Sequence, residues 1–195
     1  MKRILALSKD VGSLQTIIPV LQELSKDYQY DLRIYCPSQN SWLFQKSRLK
    51  VNLLDSRKLS KDPYKYIKEL IKENSPDLAL CGSSPALICK LKTPEQLTIS
   101  ACNALGIPSI SIQDYWGMYH ERFTNDGVNI DPRLIPTLLC VLDKRAIKEL
   151  IEFGIPKKNL VITHNPWLDI LAKKKHHIQV VQANKGTSQL NILLA

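Results

Sequence analysis

The sequence predicts an α/β fold: a Rossmann-like, doubly wound and mostly parallel sheet of about seven strands with helices on both faces. Three observations carry that expectation. Short Val/Ile/Leu-rich runs alternate with amphipathic segments along most of the chain, the pattern of successive βαβ units. The short runs are continuously apolar rather than alternating with polar residues, as strands buried on both faces are. The punctuation Gly106-Ile107-Pro108 recurs as Gly154-Ile155-Pro156, each ending a helix and opening a strand, which marks two crossovers in succession.

In chain order the predicted strands cover 3–7, 32–36, 51–54, 77–81, 109–112, 138–142 and 160–163. Between the first two, Leu14, Ile17, Ile18, Leu21 and Leu24 recur at helical spacing across 13–25, with Ser13 placed as the N-cap. A helix over 63–72 opens after Asp62, and one over 93–105 starts at Thr93-Pro94-Glu95-Gln96 and stops at Gly106. Another over 144–153 closes at Gly154. The uncharged stretch 96–113 has the length of a membrane span, but Asn103, Gly106, Pro108 and several serines interrupt it, so it reads as helix, turn and strand.

At roughly 150 residues per domain, the 195 residues make one domain and a short remainder. Residues 1–175 form the predicted Rossmann-like domain, and 176–190 a polar linker. The ending Asn191-Ile192-Leu193-Leu194-Ala195 looks like the opening strand, and suggests the first strand of an absent second domain; an edge strand or helical tail of a single domain is the alternative. No tandem repeat is visible.

With 44% hydrophobic, 23% charged and 7% aromatic residues the composition is that of a globular protein, which excludes disordered, collagen-like and disulfide-scaffold chains. The net charge of +9 favours anionic partners in general. Its lysines are spread over several helices, however, and only Lys173, Lys174, Lys175, His176 and His177 form a run, so a nucleic-acid partner is not expected. Five cysteines without a C-x-x-C pair read as reduced, mostly buried thiols. The apolar run Ile4-Leu5-Ala6-Leu7 is too short for a signal peptide, so the expected location is cytoplasmic.

Parallel sheets bind ligands beyond the carboxyl ends of their strands, so the loops that follow each strand hold the candidate residues. After the first strand, Ser8-Lys9-Asp10-Val11-Gly12-Ser13 combines a carboxylate with a glycine that lets a ligand approach the backbone. It is neither G-x-G-x-x-G nor a Walker loop, so dinucleotide and ATP binding are not indicated, and a simple turn into a helix is the competing reading. Gly82-Ser83-Ser84 after the fourth strand offers hydroxyls suited to sugar or phosphate oxygens, or merely makes a turn. It lacks the G-x-S-x-G elbow of a serine hydrolase.

The fifth strand runs into Gln113-Asp114-Tyr115-Trp116-Gly117-Met118-Tyr119-His120-Glu121-Arg122-Phe123, which supplies stacking surface, a carboxylate, an imidazole and an anion clamp, or else packs beneath a long loop. After the last strand, His164-Asn165-Pro166-Trp167 leads into a helix that Asn165 can cap. The histidines and cysteines show no metal-ligand spacing, and neither a metal nor another cofactor is expected.

The loop from Ser8 to Ser13 ahead of an Ile-Pro-rich helix, Pro76-Asp77 at the fourth strand, Asp114-Tyr115-Trp116 with Glu121-Arg122-Phe123, and Val161-Ile162-Thr163-His164-Asn165-Pro166-Trp167-Leu168-Asp169 together resemble the amino-terminal half of a GT-B glycosyltransferase. The layout is also similar to that of the UDP-N-acetylglucosamine 2-epimerases. In both, the strand before the interdomain linker often ends in a Val-x-Gly-Asn-Pro-like segment. Here His164 stands at the glycine, and the epimerases' acidic, histidine-bearing loop after the fifth strand is not reproduced, which counts against that branch.

The resemblance covers about residues 1–175. It implies a half-enzyme that binds a sugar or glycan acceptor, while a second domain or subunit binds most of the nucleotide-sugar donor. Asp114, His120 and Asp10 are then the candidate bases, and Gly12, Ser13, Ser83, Ser84, Trp116, Arg122, His164 and Asn165 the candidate substrate-binding residues. A binding or scaffold domain that recruits a separate donor-binding protein is the non-catalytic alternative. Peripheral association with the inner face of a membrane, and a homodimer, are left open.

Overall fold

A computed structural model describes residues 1–86 and 92–175. Seven strands, β1 (Lys2–Leu7), β2 (Tyr30–Cys36), β3 (Val51–Leu53), β4 (Leu78–Cys81), β5 (Ser109–Ile112), β6 (Leu138–Val141) and β7 (Leu160–Ile162), form one sheet in the order β3-β2-β1-β4-β5-β6-β7. Every pairing in it is parallel. The helices are α1 (Val11–Leu24), α2 (Ser56–Lys61), α3 (Pro63–Asn74), α4 (Pro94–Leu105), α5 (Tyr119–Phe123), α6 (Lys144–Phe153) and α7 (Pro166–Lys175). The predicted linker 176–190 and terminal strand 191–195 lie outside the described residues.

The sheet is doubly wound, and the strand register shows why apolar residues are needed on both faces of it. Ile4, Ala6, Ile34, Cys36, Leu80, Ile112 and Cys140 point to one face, where they pack against Leu14, Ile17 and Leu21 of α1. Their neighbours Leu5, Leu7 and Ala79 point to the other, against Ile67 and Ile71 of α3 and Leu97 and Ala101 of α4. Further along that face, Leu139 and Val141 meet Ala146 and Leu150 of α6. Each fully buried Leu or Ile contributes about 1.5–3 kcal/mol relative to exposure, which fixes strand order and register together. Gly106 and Gly154 end α4 and α6 in the left-handed conformation, as their place in the repeated punctuation predicts. Cys36, Cys81, Cys102 and Cys140 are buried free thiols.

One local expectation fails. α1 begins at Val11, two residues before the predicted start, and Ser13 lies inside the helix rather than capping it. Asp10 takes the N-cap position in extended backbone without a side-chain cap bond. The Ser13 hydroxyl is drawn away by tertiary partners: it accepts the Ser83 N–H at 3.3 Å and pairs with Ser84 Oγ at 3.2 Å.

Candidate functional site

The strand order reverses between β1 and β4, because β1 leads outward to β2 and β3 whereas β4 leads to β5, β6 and β7. At such a point the connections leave in opposite directions and open a crevice at the carboxyl edge of the sheet. The loops after β1, β4, β5 and β7 meet there.

The floor of the crevice is built on a residue that sequence reasoning missed. Glu95, in the first turn of α4, is only 1% exposed. Its Oε1 accepts three hydrogen bonds: from the Lys9 N–H at 2.6 Å, Ser84 Oγ at 2.6 Å and Ser8 Oγ at 3.1 Å. One carboxylate therefore ties the β1 loop, the β4 loop and α4 into a single body. Burial pushes its carboxyl above the ordinary range, against the lowering effect of the Ser84 hydroxyl and the Lys9 amide. The one sequence signal at this position was the helix start Thr93-Pro94-Glu95-Gln96, which forms a capping box between Thr93 and Gln96 and so accounts for the pattern without Glu95.

The loops close over this floor with almost no spare space. A Cβ on Gly82 would come within 2.5 Å of both Ser13 Cβ and Ser8 Oγ. Gly82→Ala is accordingly expected to destabilise the protein by about 1–3 kcal/mol through overpacking, read as a lower urea midpoint. An unchanged midpoint would show that the β1 and β4 loops are not locked together.

Above the floor stands Asp114, just past β5. Its Oδ1 accepts from Ser83 Oγ at 3.2 Å and from Arg122 Nη2 at 3.3 Å, and Arg122 Nη1 donates to Ser83 Oγ at 2.8 Å. Arg122 is 4% exposed, an unusual depth for a guanidinium; burial pulls its pKa down and the facing Asp114 charge opposes that. Asp114 Oδ2 lies against Gly12 at the start of α1, within 2.9 Å of where a Cβ on that glycine would be, and both hydrogen bonds that the carboxylate takes from the described residues go to Oδ1. Asp114 thus fills the position beside Gly12 where the free N–H groups of α1 begin, with an aspartate rather than a ligand phosphate next to them. From the β7 side, Asn165 Nδ2 donates to the Asp114 carbonyl at 3.2 Å, while its Oδ1 caps α7 through the Trp167 N–H at 2.9 Å.

Among the candidate residues, then, Gly12, Ser13, Ser83, Ser84, Asp114, Arg122 and Asn165 come together with Glu95. The others take different places. Asp10 sits half-exposed at the start of α1, 4.0 Å from the Lys9 ammonium. His120 lies outside the Asp114 cluster, its ring edge-on to Phe153 at 4.8 Å. His164 adopts a left-handed backbone with φ 61°, which explains why a glycine suits this position, and its Nδ1 donates to the Leu142 carbonyl at 2.9 Å. Trp116 stays at the rim, where its indole N–H donates to Asp143 Oδ2 at 3.2 Å.

Three buried side-chain atoms lack a protein partner among the described residues: Glu95 Oε2, Gln113 Oε1 and Arg122 Nε. All three belong to side chains at this edge, and buried polar groups left unsatisfied call for an explanation, of which a functional site is one. Among the described residues no group of three or more His, Cys, Asp or Glu side chains is placed to hold a metal ion, and no helix is long and apolar enough to cross a membrane.

The seven-stranded parallel sheet with its crevice at the β1/β4 reversal is a Rossmann-like fold, and solved enzymes share it. Its relatives by structure are UDP-GlcNAc 2-epimerases and a MurG. The epimerase of Neisseria meningitidis, solved bound to UDP-GlcNAc, superposes with a TM-score of 0.66 at 14% identity over 92% of this chain and 51% of its own. A putative UDP-N-acetylglucosamine 2-epimerase of Listeria monocytogenes gives 0.68 at 14% identity, over 88% of this chain and 47% of its own. MurG of Acinetobacter baumannii gives 0.53 at 12% identity, over 85% and 45%. The chain therefore spans about half the length of the solved structures it matches. No protein-family model matches the sequence, and no curated protein does.

Proposed function

We propose that this chain is the acceptor-side half of an enzyme that transfers a sugar from a nucleotide-sugar donor to an acceptor hydroxyl. The observation that carries the reading is Asp114: a carboxylate held rigidly at the switch-point crevice, with one oxygen engaged by Arg122 and Ser83 and the other without a hydrogen bond among the described residues. In the reaction the free oxygen takes the proton from the acceptor hydroxyl as that oxygen attacks the anomeric carbon, and the nucleoside diphosphate departs with the electron pair of the broken glycosidic bond. Ser83 and Arg122 keep the carboxylate aimed, and Glu95 keeps the β1 and β4 loops that pack beside it in register. The donor is held mainly by a second domain or a separate subunit, which is consistent with the half-length match to the solved structures.

A second reading, half of a sugar-nucleotide 2-epimerase, draws on the many epimerases among the structural neighbours. Mixing the chain with a separately expressed donor-binding half and assaying sugar transfer against 2-epimerisation separates the two. The isolated chain is expected to bind UDP-, GDP-, CDP- and TDP-sugars weakly or not at all by calorimetric titration. Sub-micromolar affinity for any of them would overturn the half-enzyme reading in favour of a self-contained binding domain.

A further inference from the structure

Beyond the carboxylate cluster, the crevice has a rim of unusual chemistry. Tyr115 is 60% exposed there, and Trp116, 36% exposed, keeps part of its indole open to solvent. The two rings stand 6.4 Å apart at an interplanar angle of 73°, an edge-to-face pair. The tryptophan is not loosely held. The Trp116 indole N–H is fixed to Asp143 Oδ2, and Asp143 is itself fixed as the N-cap of α6, its Oδ1 accepting the Ala146 N–H at 2.8 Å.

The backbone on either side is equally constrained. Asn165 holds the Asp114 carbonyl, Gln96 Nε2 donates to the Glu121 and Arg122 carbonyls at 2.8 and 2.9 Å, and the Ala86 N–H donates to the Glu121 carbonyl at 3.2 Å. A loop tied down at so many points presents Tyr115 and Trp116 at the crevice rim, directly next in sequence to Asp114.

We propose that the Trp116 indole face is a stacking plate for a pyranose ring, with the steeply inclined Tyr115 ring as its side wall, so that the acceptor is recognised through the apolar C–H face of a saccharide rather than through an anionic group. This rests on the acceptor-side reading above. A pyranose has an apolar face of axial C–H bonds and a rim of equatorial hydroxyls. The Trp116 indole matches the face at little conformational cost, since its N–H bond to Asp143 already fixes it. The rim finds hydrogen-bonding groups on the same edge: the Tyr115 hydroxyl, the Asp114 and Asp143 carboxylates and the His164 imidazole, whose Nε2 is left free by the bond from Nδ1 to Leu142. No lysine or arginine is needed by the plate. Arg122, the cation of the cluster beside it, is spent on Asp114 and Ser83.

The test uses tryptophan emission from the whole chain titrated with methyl β-D-glucopyranoside. A saturable shift with a dissociation constant of about 1–10 mM is expected. The shift is expected to vanish in Trp116→Phe and its midpoint to rise about fivefold in Tyr115→Ala, with far-ultraviolet circular dichroism confirming that both variants are folded. Sodium phosphate and glycerol at matched concentration should leave the emission unchanged.

A flat titration in the wild-type chain overturns the proposal, as does an equal response to glycerol or one that persists in Trp116→Phe. A response to phosphate alone would make this an anion site instead. If Trp116→Phe abolishes association with the donor-binding half while sugars give no response, the plate is a domain contact and the proposal also falls. A saturable sugar response in a chain whose reconstituted enzyme transfers nothing keeps the plate and removes the transferase reading, whereas transfer without the response does the reverse.

Discussion

Asp114→Asn, in the enzyme completed by its donor-binding half, is expected to turn over about 10²-fold more slowly or worse, because the amide cannot take the acceptor's proton. Asp114→Ala is expected to lose activity as well, but also stability, by about 3 kcal/mol. The two changes differ in what they leave for Arg122. That guanidinium is almost fully buried, and burial already pulls its pKa down while the Asp114 charge opposes the pull. An asparagine keeps an oxygen within reach of Arg122 Nη2 and Ser83 Oγ, whereas an alanine strands a buried cation. Steady-state kinetics and urea unfolding of both variants separate the roles. Wild-type turnover in a folded Asp114→Asn enzyme would remove Asp114 from the chemistry and leave it as the counter-ion of Arg122.

The pairing of Asp114 with Arg122 but not with His120 shows how far a sequence cluster is from a spatial one. The three residues fall within nine positions of each other, and read linearly they form one group. α5 turns through about 100° per residue, so His120 and Arg122, two positions apart, leave the helix about 200° apart. One ring goes to Phe153 and the other side chain goes inward to Ser83 and Asp114. Nothing in the local pattern announces a five-residue helix whose cap, Met118, is left-handed. α2 was equally hidden, since Ser56-Arg57-Lys58-Leu59-Ser60-Lys61 has a single apolar residue and no periodicity to detect.

The elements that were legible are those whose local signals and burial agree. β5 spans Ser109–Ile112 and α6 spans Lys144–Phe153, as the sequence predicts, because β5 opens directly after the Gly-Ile-Pro turn and α6 is an apolar stripe ended by Gly154. Ser13 was misread for the opposite reason: a serine ahead of an apolar helix is a good cap locally, but hydroxyl and amide partners 70 and 71 positions away outbid the local bond. Glu95 was invisible on the same principle, its partner Ser8 lying 87 positions distant. Site residues that work by joining loops across a parallel sheet carry no periodicity of their own, and only the crossovers bring them together.

Raising the pH above 4.5 is expected to cost the wild-type protein stability that Glu95→Gln retains. Burial raises the Glu95 pKa in the folded protein above its ordinary value of 4.5, so between 4.5 and the folded pKa the native state binds more protons than the unfolded chain. Stability then falls as pH rises, by up to about 1.4 kcal/mol per pH unit, and levels off once the folded pKa is passed. The carboxylates whose pKa values are lowered act in the other direction and in another window: Asp126, held down to about 2 by the Asn129 and Val128 amides, with Asp31, Asp77, Asp131 and Glu149, contributes stability that is lost only as pH falls below the ordinary carboxylate range. Urea midpoints of wild type and Glu95→Gln across a pH series isolate the one group, since every other titration is common to both. The added amide N–H₂ at the unpartnered Oε2 position shifts the Glu95→Gln curve by a constant and leaves its slope alone. The difference between the two curves should therefore grow in favour of Glu95→Gln as pH rises from 4.5 and then become flat. Curves that stay parallel throughout would mean that Glu95 binds its proton equally in the folded and unfolded chains, so that the three hydrogen bonds to Oε1 cancel the effect of burial.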